Sequence, residues 1–312
     1  MSCASPTKPT PPPAAPVLTC PASQTIVSAD NRPVVVTYAK PSLTGGTTPV
    51  TVVCTPDAGA TFAVGANTVS CTATDAQARS SSCSFSVSVQ PGVSLAATSI
   101  LAFGDSMTEG NPGTTLTDVA LTGIGCSSYE TSFAYPVALN QLLGSSYPTQ
   151  TIVTKNCGWG GEESVQGVVR LPTGLATGSY DVVLLLEGAN DLNALANGTQ
   201  SNAVNTIGNA IVSMIKTARQ GGRTVFVGTL PPQRVGGKGP RPEWVEPVND
   251  RLRTVAPQEG AVLVDLWRDA FSGTPEPYIS VDGLHPTADG YRRMADVFLA
   301  AIRRRLETKT TP

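Results

Sequence analysis

The residues best suited to chemistry lie around a single histidine. His285 is the only histidine in the sequence, so any reaction that needs an imidazole must use it. Asp282 precedes it by three residues, close enough to accept the proton of one ring nitrogen and fix the tautomer. Ser106 follows an apolar run, and its hydroxyl needs such a base to become a nucleophile at neutral pH. These side chains could attack a carbonyl carbon; alternatively, Ser106 is an ordinary turn residue and His285 a bystander.

Attack on a carbonyl also requires hydrogen-bond donors for the oxyanion of the tetrahedral intermediate. The sequence offers the backbone amides of Ser106 and Gly161 and the side-chain amide of Asn190. Gly161 ends the segment NCGWGG, whose glycines allow backbone amides to point into a site. Each donor of this kind typically contributes about 3 kcal/mol of transition-state stabilisation.

Neighbouring residues carry further predictions. Trp159 could bind substrate by lining an acyl or sugar pocket, or it could pack in the core. Asp105 could also contact substrate, but its position in the turn favours a role in holding that turn. Glu162 and Glu163 could disfavour anionic substrates, or they form a solvated pair at a helix start. Asp191 is predicted to brace the loop that contains Asn190.

Apolar runs alternate with helical patterns beyond residue 98, which predicts an α/β sandwich of about five parallel strands. The run Val182 to Leu186 is apolar on both faces, as a covered parallel strand requires. The expected strands are 99–103, 151–155, 181–187, 224–229 and 261–265, and the expected helices are 132–144, 201–219 and 287–306. The polar segments follow strands or precede the last helix, so they should meet at one sheet edge.

Residues 17–90 have a different sequence pattern, which predicts a small all-β sandwich. Short runs rich in Val and Thr are separated by Gly, Pro, Asn and Asp clusters; the expected strands are 24–27, 34–38, 50–54, 67–74 and 83–89. With few large aromatic residues, the core would be small and disulfides would help. Pairing Cys54 with Cys71 and Cys20 with Cys83 is one of several connectivities.

The remaining segments predict a tether and a linker. Residues 1–16 are Pro-rich and should be extended, residues 91–98 read as a linker, and residues 99–308 form the second domain. If six of the seven cysteines pair, Cys3 is left over. It is either a stray thiol or, because Ser2-Cys3 resembles the cleavage point of a lipoprotein signal, a lipid anchor. The protein is therefore expected to be secreted or on the surface of a bacterial cell, with a membrane tether only through lipidated Cys3.

Charge and hydropathy limit the choice of partner. The formal net charge is −2 and no long basic run occurs, which argues against nucleic acid as the main partner. No stretch approaches the ~20 apolar residues of a membrane helix. The polar segment 111–132 is predicted to be a loop over the site, with 231–242 as the other wall. A bridge between Cys126 and Cys157 would pin that loop.

The segments around Ser106, Gly161, Asn190 and His285 together resemble the four sequence blocks of the SGNH, or GDSL-type, esterase and lipase family. The resemblance covers about residues 97–308. It implies a flavodoxin-like three-layer sandwich with no metal and no cofactor. It also implies that Ser106 is the nucleophile, His285 its base and Asp282 the partner of that base, with Ser106, Gly161 and Asn190 as oxyanion donors.

Residues 17–90 resemble the hyalin-repeat (HYR) module, an immunoglobulin-like sandwich, in the spacing of their four cysteines and the segments between them. In that family the module is usually an adhesive or spacing unit. The resemblance therefore implies that the N-terminal module binds a cell surface or a polysaccharide.

Together these features predict a serine ester hydrolase that cleaves short-chain acyl esters, including acetyl groups on carbohydrate, through an acyl-enzyme. Activity is expected to rise as His285 loses its proton, near pH ~6.5 for an ordinary imidazole. Two alternatives remain open at this point. One is a lipase or acyltransferase of the same fold, and the other is an adhesion or glycan-binding protein whose hydrolase domain is inactive.

Overall fold

The computed structural model describes residues 13–113, 126 and 132–309. They divide into two compact units, which are described separately below. The first comprises the chain up to Ser94 together with Lys309, and the second runs from Leu95 to Thr308. Among the helices of these residues, none has the length and apolarity that a membrane crossing requires.

The first unit is built from strands alone in its described residues. The strands are β1 (Val17–Thr19), β2 (Gln24–Ser28), β3 (Val34–Val35), β4 (Ser42–Thr44), β5 (Thr51–Thr55), β6 (Thr61–Phe62), β7 (Gly65–Thr74) and β8 (Ser80–Pro91), with β9 (Val93–Leu95) at the boundary. The largest sheet has the order β2-β8-β7-β5, in which β7 pairs antiparallel with β8 and β5. The all-β prediction is confirmed.

One predicted strand is shorter than expected. The pattern predicted 34–38, but the strand ends at Val35. Val36 instead exchanges backbone hydrogen bonds with the turn at 59–60, donating to the carbonyl of Ala60 at 3.1 Å and accepting from the amide of Gly59 at 2.8 Å. The local Val-rich pattern cannot distinguish such a turn contact from a strand ladder.

The core of the first unit is small and is bridged by disulfides. Alternate residues of β7 point inward, and Val69, Cys71 and Ala73 are fully buried beside Phe62 and Val87. The bridges are Cys20–Cys83 and Cys54–Cys71, which is the connectivity considered from the sequence.

The second unit contains five parallel strands, as predicted. They are β10 (Ser99–Gly104), β11 (Val153–Gly158), β12 (Val182–Leu186), β13 (Thr224–Gly228) and β14 (Val262–Val264). Their order is β11-β10-β12-β13-β14. The second strand in sequence, β11, lies on one side of β10, and the three later strands lie on the other, so the strand order reverses at β10. All five residues of β12 are fully buried, which explains its unbroken apolar sequence. Ligands of open parallel sheets bind where the strand order reverses in this way.

Eight helices occur among the described residues of this unit. They are α1 (Ser106–Glu109), α2 (Tyr135–Ser146), α3 (Ser164–Leu175), α4 (Asp191–Ala194), α5 (Gln200–Arg219), α6 (Val245–Gln258), α7 (Leu266–Asp269) and α8 (Ala288–Leu306), with a 3-10 turn at Pro242–Trp244 and β15 (Glu307–Lys309) at the end. Helix α2 packs on α8, and α5 packs on both α3 and α6. The flavodoxin-like prediction is confirmed, although only α2, α5 and α8 among the helices were predicted with bounds.

Candidate active site

The turn after β10 places Ser106 at the start of α1. Asp105 caps this helix, because its side chain accepts a hydrogen bond from the amide of Met107 at 2.9 Å. A Cβ on Gly104 would overlap the carbonyl of Leu186 and the side chain of Thr108, so only glycine allows the strands and the turn to approach this closely. The Ser106 side chain therefore stands at the carboxyl edge of the sheet.

A chain of hydrogen bonds joins Ser106, His285 and Asp282. Ser106 Oγ lies 2.8 Å from His285 Nε2, and His285 Nδ1 lies 2.6 Å from Asp282 Oδ2. The other carboxylate oxygen, Asp282 Oδ1, accepts from Ser280 Oγ at 2.8 Å and from the amides of Leu284 and His285, each at 3.0 Å. The structure thus brings together all three residues that the sequence analysis selected.

The charge of Asp282 determines the direction of these hydrogen bonds. Burial opposes its ionisation, but the hydrogen bonds from the His285 side chain and from the amides of Leu284 and His285 outweigh burial and lower the pKa of Asp282 to about 2. The carboxylate is therefore an acceptor only, so His285 Nδ1 carries the hydrogen. Nε2 then carries no hydrogen and can accept the proton of Ser106.

Gly161 and Asn190 lie on neighbouring loops beside this chain. The Asn190 side-chain amide donates to the carbonyl of Glu162 at 2.9 Å, which leaves its second N–H for another acceptor. Gly161 has a φ of 80°, and a Cβ there would meet no atom within 4 Å. A Cβ on the adjacent Gly160 would lie 3.9 Å from Ser106 Cβ. The loop after β11 therefore borders the serine side chain.

Glu162 is not part of a solvated pair. It is 3 % exposed, and both its carboxylate oxygens accept from the Arg170 guanidinium. Glu163 is the residue that caps α3, in a reciprocal pairing with Gln166. Glu162 therefore cannot repel anionic substrates at the mouth, which corrects that prediction. Arg170 itself was missed, because the sequence suggested only a helix start near Glu163 and gave no sign of which side chains of that helix turn inward.

Asp105 does not face the mouth either. It is fully buried, and burial raises its pKa to about 7 although hydrogen bonds from backbone amides oppose this shift. A substrate cannot reach its carboxyl group, so the predicted substrate contact by Asp105 is wrong and its helix-capping role remains. Asp191, directly after Asn190, accepts from the amide and hydroxyl of Ser164 at 2.8 and 2.6 Å and so ties the Asn190 loop to the start of α3.

Trp159 lies on the loop between β11 and Gly161. Its backbone amide donates to the carbonyl of Gly104 at 2.8 Å, which ties the loop to the end of β10. The residue is 38 % exposed, and its ring centroid is 5.6 Å from the Arg170 guanidinium carbon. Part of the indole is therefore accessible beside Gly161.

The predicted wall at 231–242 contacts the segment that carries His285. The amides of Arg234 and Lys238 donate to the carbonyls of Gly283 and Asp282 at 2.8 and 2.7 Å. Most of the other predicted wall, 111–132, lies outside the described residues. The proposed bridge from Cys126 to Cys157 is present. Within the described ranges, no group of three or more His, Cys, Asp or Glu side chains is arranged to hold a metal ion.

A five-stranded parallel sheet of this order, with a serine after its first strand and Asp-x-x-His before its last helix, defines a hydrolase of the SGNH fold. The model of the GDSL-like lipase/acylhydrolase family matches residues 102–293, more than half of the chain. The chain belongs to this family, whose members are hydrolases of ester substrates. The HYR domain model matches residues 10–89. Both resemblances noted in the sequence are thus confirmed.

Solved structures share the fold of the second unit. A lipase/acylhydrolase from Enterococcus faecalis aligns with a TM-score of 0.53 at 22 % identity, covering 69 % of this chain and 100 % of that one. Axe2, an acetylxylan esterase from Geobacillus stearothermophilus, aligns with a TM-score of 0.53 at 18 % identity, covering 68 % and 96 %. LAE5, an α/β hydrolase from the metagenome of Lake Arreo in Spain, aligns with a TM-score of 0.51 at 20 % identity, covering 67 % of this chain and 96 % of that one. Comparison with curated protein sequences found no match.

Proposed function

We propose that this protein is a serine-dependent carboxylic ester hydrolase that cleaves short-chain acyl esters, including acetyl esters of carbohydrate. The observation that carries the proposal is the continuous hydrogen-bond chain from Ser106 Oγ through both nitrogens of His285 to Asp282. In this chain the serine has a base within hydrogen-bond distance, and the base has an ionised partner.

In the acylation step, Ser106 Oγ attacks the acyl carbon while its proton passes to His285 Nε2. Asp282 stabilises the resulting imidazolium. The negative charge on the former carbonyl oxygen is held by the backbone amides of Ser106 and Gly161 and by the second N–H of Asn190. The bond from the acyl carbon to the alkoxy oxygen then breaks, and Nε2 gives its proton to that oxygen, so the alcohol leaves.

Deacylation repeats these steps with water in place of the alcohol. His285 Nε2 takes a proton from water as the water oxygen attacks the acyl carbon of the Ser106 ester. The ester bond to Oγ breaks, Oγ recovers the proton from Nε2, and the acid is released. The cycle returns the enzyme to its starting state.

The surroundings of the serine support a small acyl group on a polar alcohol. The adjacent loop presents Gly160 and Gly161 to solvent, with Trp159 as its one aromatic residue. A partly exposed indole can pack on the apolar face of a sugar ring while glycine amides remain accessible. Axe2 is an acetylxylan esterase, but its likeness to this chain is one of fold.

Three disulfides and an HYR domain are compatible with an extracellular protein. We place the protein outside the cell or on its surface, where the HYR domain holds the hydrolase at a cell surface or polysaccharide. A lipid on Cys3 would supply a membrane tether.

The experiment that tests this proposal is hydrolysis of p-nitrophenyl esters, from acetate to long acyl chains, by wild type and by Ser106→Ala. We expect turnover that falls with chain length and that the substitution abolishes. A lipase would prefer the longer chains, and an acyltransferase would form a new ester with an added alcohol. Equal rates in the two proteins would contradict the role of Ser106.

A further inference from the structure

Arg170 is a buried arginine that the proposed reaction does not use. It lies in the second turn of α3 and is 6 % exposed. A guanidinium loses much hydration energy on burial unless its N–H groups are all paired. The groups that pair with the Arg170 guanidinium therefore indicate the structural role of this buried charge.

The guanidinium contacts one side-chain carboxylate and two backbone carbonyls, each on a different segment of the chain. Arg170 Nε donates to Glu162 Oε1 at 2.6 Å, and one terminal nitrogen donates to Glu162 Oε2. The same nitrogen donates to the carbonyl of Gly104 at 3.2 Å, and the other donates to that of Cys157 at 3.0 Å. The guanidinium carbon also lies 3.9 Å from the centroid of the Phe103 ring. Position and orientation of the side chain are thus both fixed.

Each contact leads to a donor of the oxyanion site. Gly104 lies two residues before Ser106 at the end of β10. Cys157 and Glu162 flank the loop that carries Gly161. The carbonyl of Glu162, in turn, accepts from the Asn190 side chain at 2.9 Å. The Arg170 guanidinium, together with the carboxylate and the backbone carbonyl of Glu162, therefore connects the three chain segments that provide the three donors.

We propose that the buried Arg170–Glu162 pair positions the oxyanion hole, so that transition-state stabilisation depends on it although neither side chain contacts the substrate. This inference rests on the proposed function. Donors on separate segments stabilise an oxyanion only if their spacing is held to within about 0.5 Å. The planar fork of arginine can fix a carboxylate and two carbonyls at once, which the single ammonium of lysine cannot do.

Glu187 makes one substitution in this pair particularly informative. Its Oε1 lies 4.0 Å from the Arg170 terminal nitrogen, beyond hydrogen-bond distance. Burial, with the carboxyl groups of Asp105 and Glu162 close by, raises the pKa of Glu187 well above the ordinary value, so removal of the Glu162 charge favours ionisation of Glu187. In Glu162→Gln, Glu187 can ionise and become the counterion of Arg170. The arginine then remains buried and paired, while its charged link to the Gly161 loop is lost.

The test measures kcat and KM for p-nitrophenyl acetate in wild type, Glu162→Gln and Arg170→Lys. It also measures inhibition by phenylboronic acid, which forms a tetrahedral adduct with a reactive serine. We expect kcat to fall 10- to 100-fold with KM changed less than threefold, and the inhibition constant of phenylboronic acid to rise in parallel. A merely structural role would lower the melting temperature without this split between kcat and KM.

Arg253→Lys is the matched control. Arg253 is also mostly buried and bound to carboxylates, those of Glu246, Asp250 and Asp265, but it contacts none of the oxyanion segments. We expect this variant to lose thermal stability and retain kcat per folded molecule. If Arg170→Lys does not fold, Glu162→Gln decides the question.

If wild type is active and folded Glu162→Gln has the same kcat, or differs from it in KM alone, the positioning role is overturned and the proposed function stays intact. A wild type that hydrolyses no ester would overturn the proposed function, and the positioning role with it.

Discussion

The Lys238 ammonium nitrogen lies 3.6 Å from Asp282 Oδ2, the same oxygen that faces His285 Nδ1 at 2.6 Å. Asp282 thus has two cationic neighbours when His285 is protonated. Lys238 comes from the loop at 231–242, whose backbone is bonded to the segment of Asp282. The two positive charges share one carboxylate, so Lys238 disfavours the protonated form of His285.

Lys238→Met should therefore move the acid limb of kcat/KM to higher pH. The lysine is 57 % exposed, so water weakens its effect, and we expect a shift of about 0.5 pH unit. The measurement is the pH profile for p-nitrophenyl acetate between pH 5 and 8. Lys238→Arg keeps the charge and should keep the wild-type profile. A Met variant with the profile of the Arg variant would contradict the electrostatic explanation.

Asp282→Asn should reduce kcat by about 10³- to 10⁴-fold, because the Asn amide group in place of Oδ2 would favour the wrong tautomer of His285. Ser280→Ala is a milder comparison. It removes one of the hydrogen bonds to Asp282 Oδ1 and leaves the contact to the imidazole in place. We expect about a 10-fold loss there. Steady-state kinetics at pH 8 would test both, and equal losses in the two variants would contradict this assignment.

Asp105→Asn should stabilise the protein at alkaline pH. The pKa of Asp105 is about 7 in the folded chain and 3.8 as the reference value, so the folded state retains the proton longer. Wild-type stability must then fall as pH rises from about 4 to about 7 and level off above. Asn keeps an acceptor for the Met107 amide without the charge. We expect a gain of at most about 4 kcal/mol at pH 8 and none at pH 4. Melting curves at the two pH values would show this, and a pH-independent difference would contradict it.

Trp159→Ala should affect carbohydrate esters more than small ones. If the exposed indole packs on a sugar ring, its loss should raise KM for acetylated xylooligosaccharides about 10-fold, which corresponds to about 1.4 kcal/mol. KM for p-nitrophenyl acetate should change little. Trp267→Ala, on α7, is a comparison that removes an indole elsewhere in the same unit. Equal effects of Trp159→Ala on both substrates would contradict sugar packing.

Removing the Cys20–Cys83 bridge by substitution of both cysteines with alanine should destabilise the first unit by about 4 kcal/mol, because the bridge spans 63 residues. No proposed catalytic residue lies in that unit, so kcat for p-nitrophenyl acetate should stay at the wild-type value. Calorimetry of the full chain should show the transition of the first unit at a lower temperature than in wild type and the transition of the second unit at an unchanged temperature. A parallel loss of activity at temperatures below that first transition would contradict this expectation.

Much of the site could be predicted because its signals are local. Ser106 follows an apolar strand, Asp282 and His285 lie three residues apart, and the run Val182–Leu186 is apolar at every position. Such patterns involve residues that are close in sequence, so they can be recognised without knowledge of the fold. The parallel sheet and its polar edge follow from them.

The parts that could not be predicted depend on contacts between distant or irregular segments. Helix α3 contains Gly167, Pro172 and Gly174, and glycine and proline inside a short segment favour a turn or loop over a helix when only the sequence is known. Helix α6 contains Pro247 and Pro257 and was missed for the same reason. Without α3, nothing in the sequence links Glu162 to Arg170, and the two adjacent glutamates look like surface charges.

The hydrogen bond between Ser106 and His285 joins residues 179 positions apart. During synthesis Ser106 leaves the ribosome well before His285, which lies three residues before the start of α8. An unfinished chain therefore presents a serine without a base. Under the proposed mechanism, the cell that makes this hydrolase is protected from it until almost the whole catalytic unit has been translated and folded.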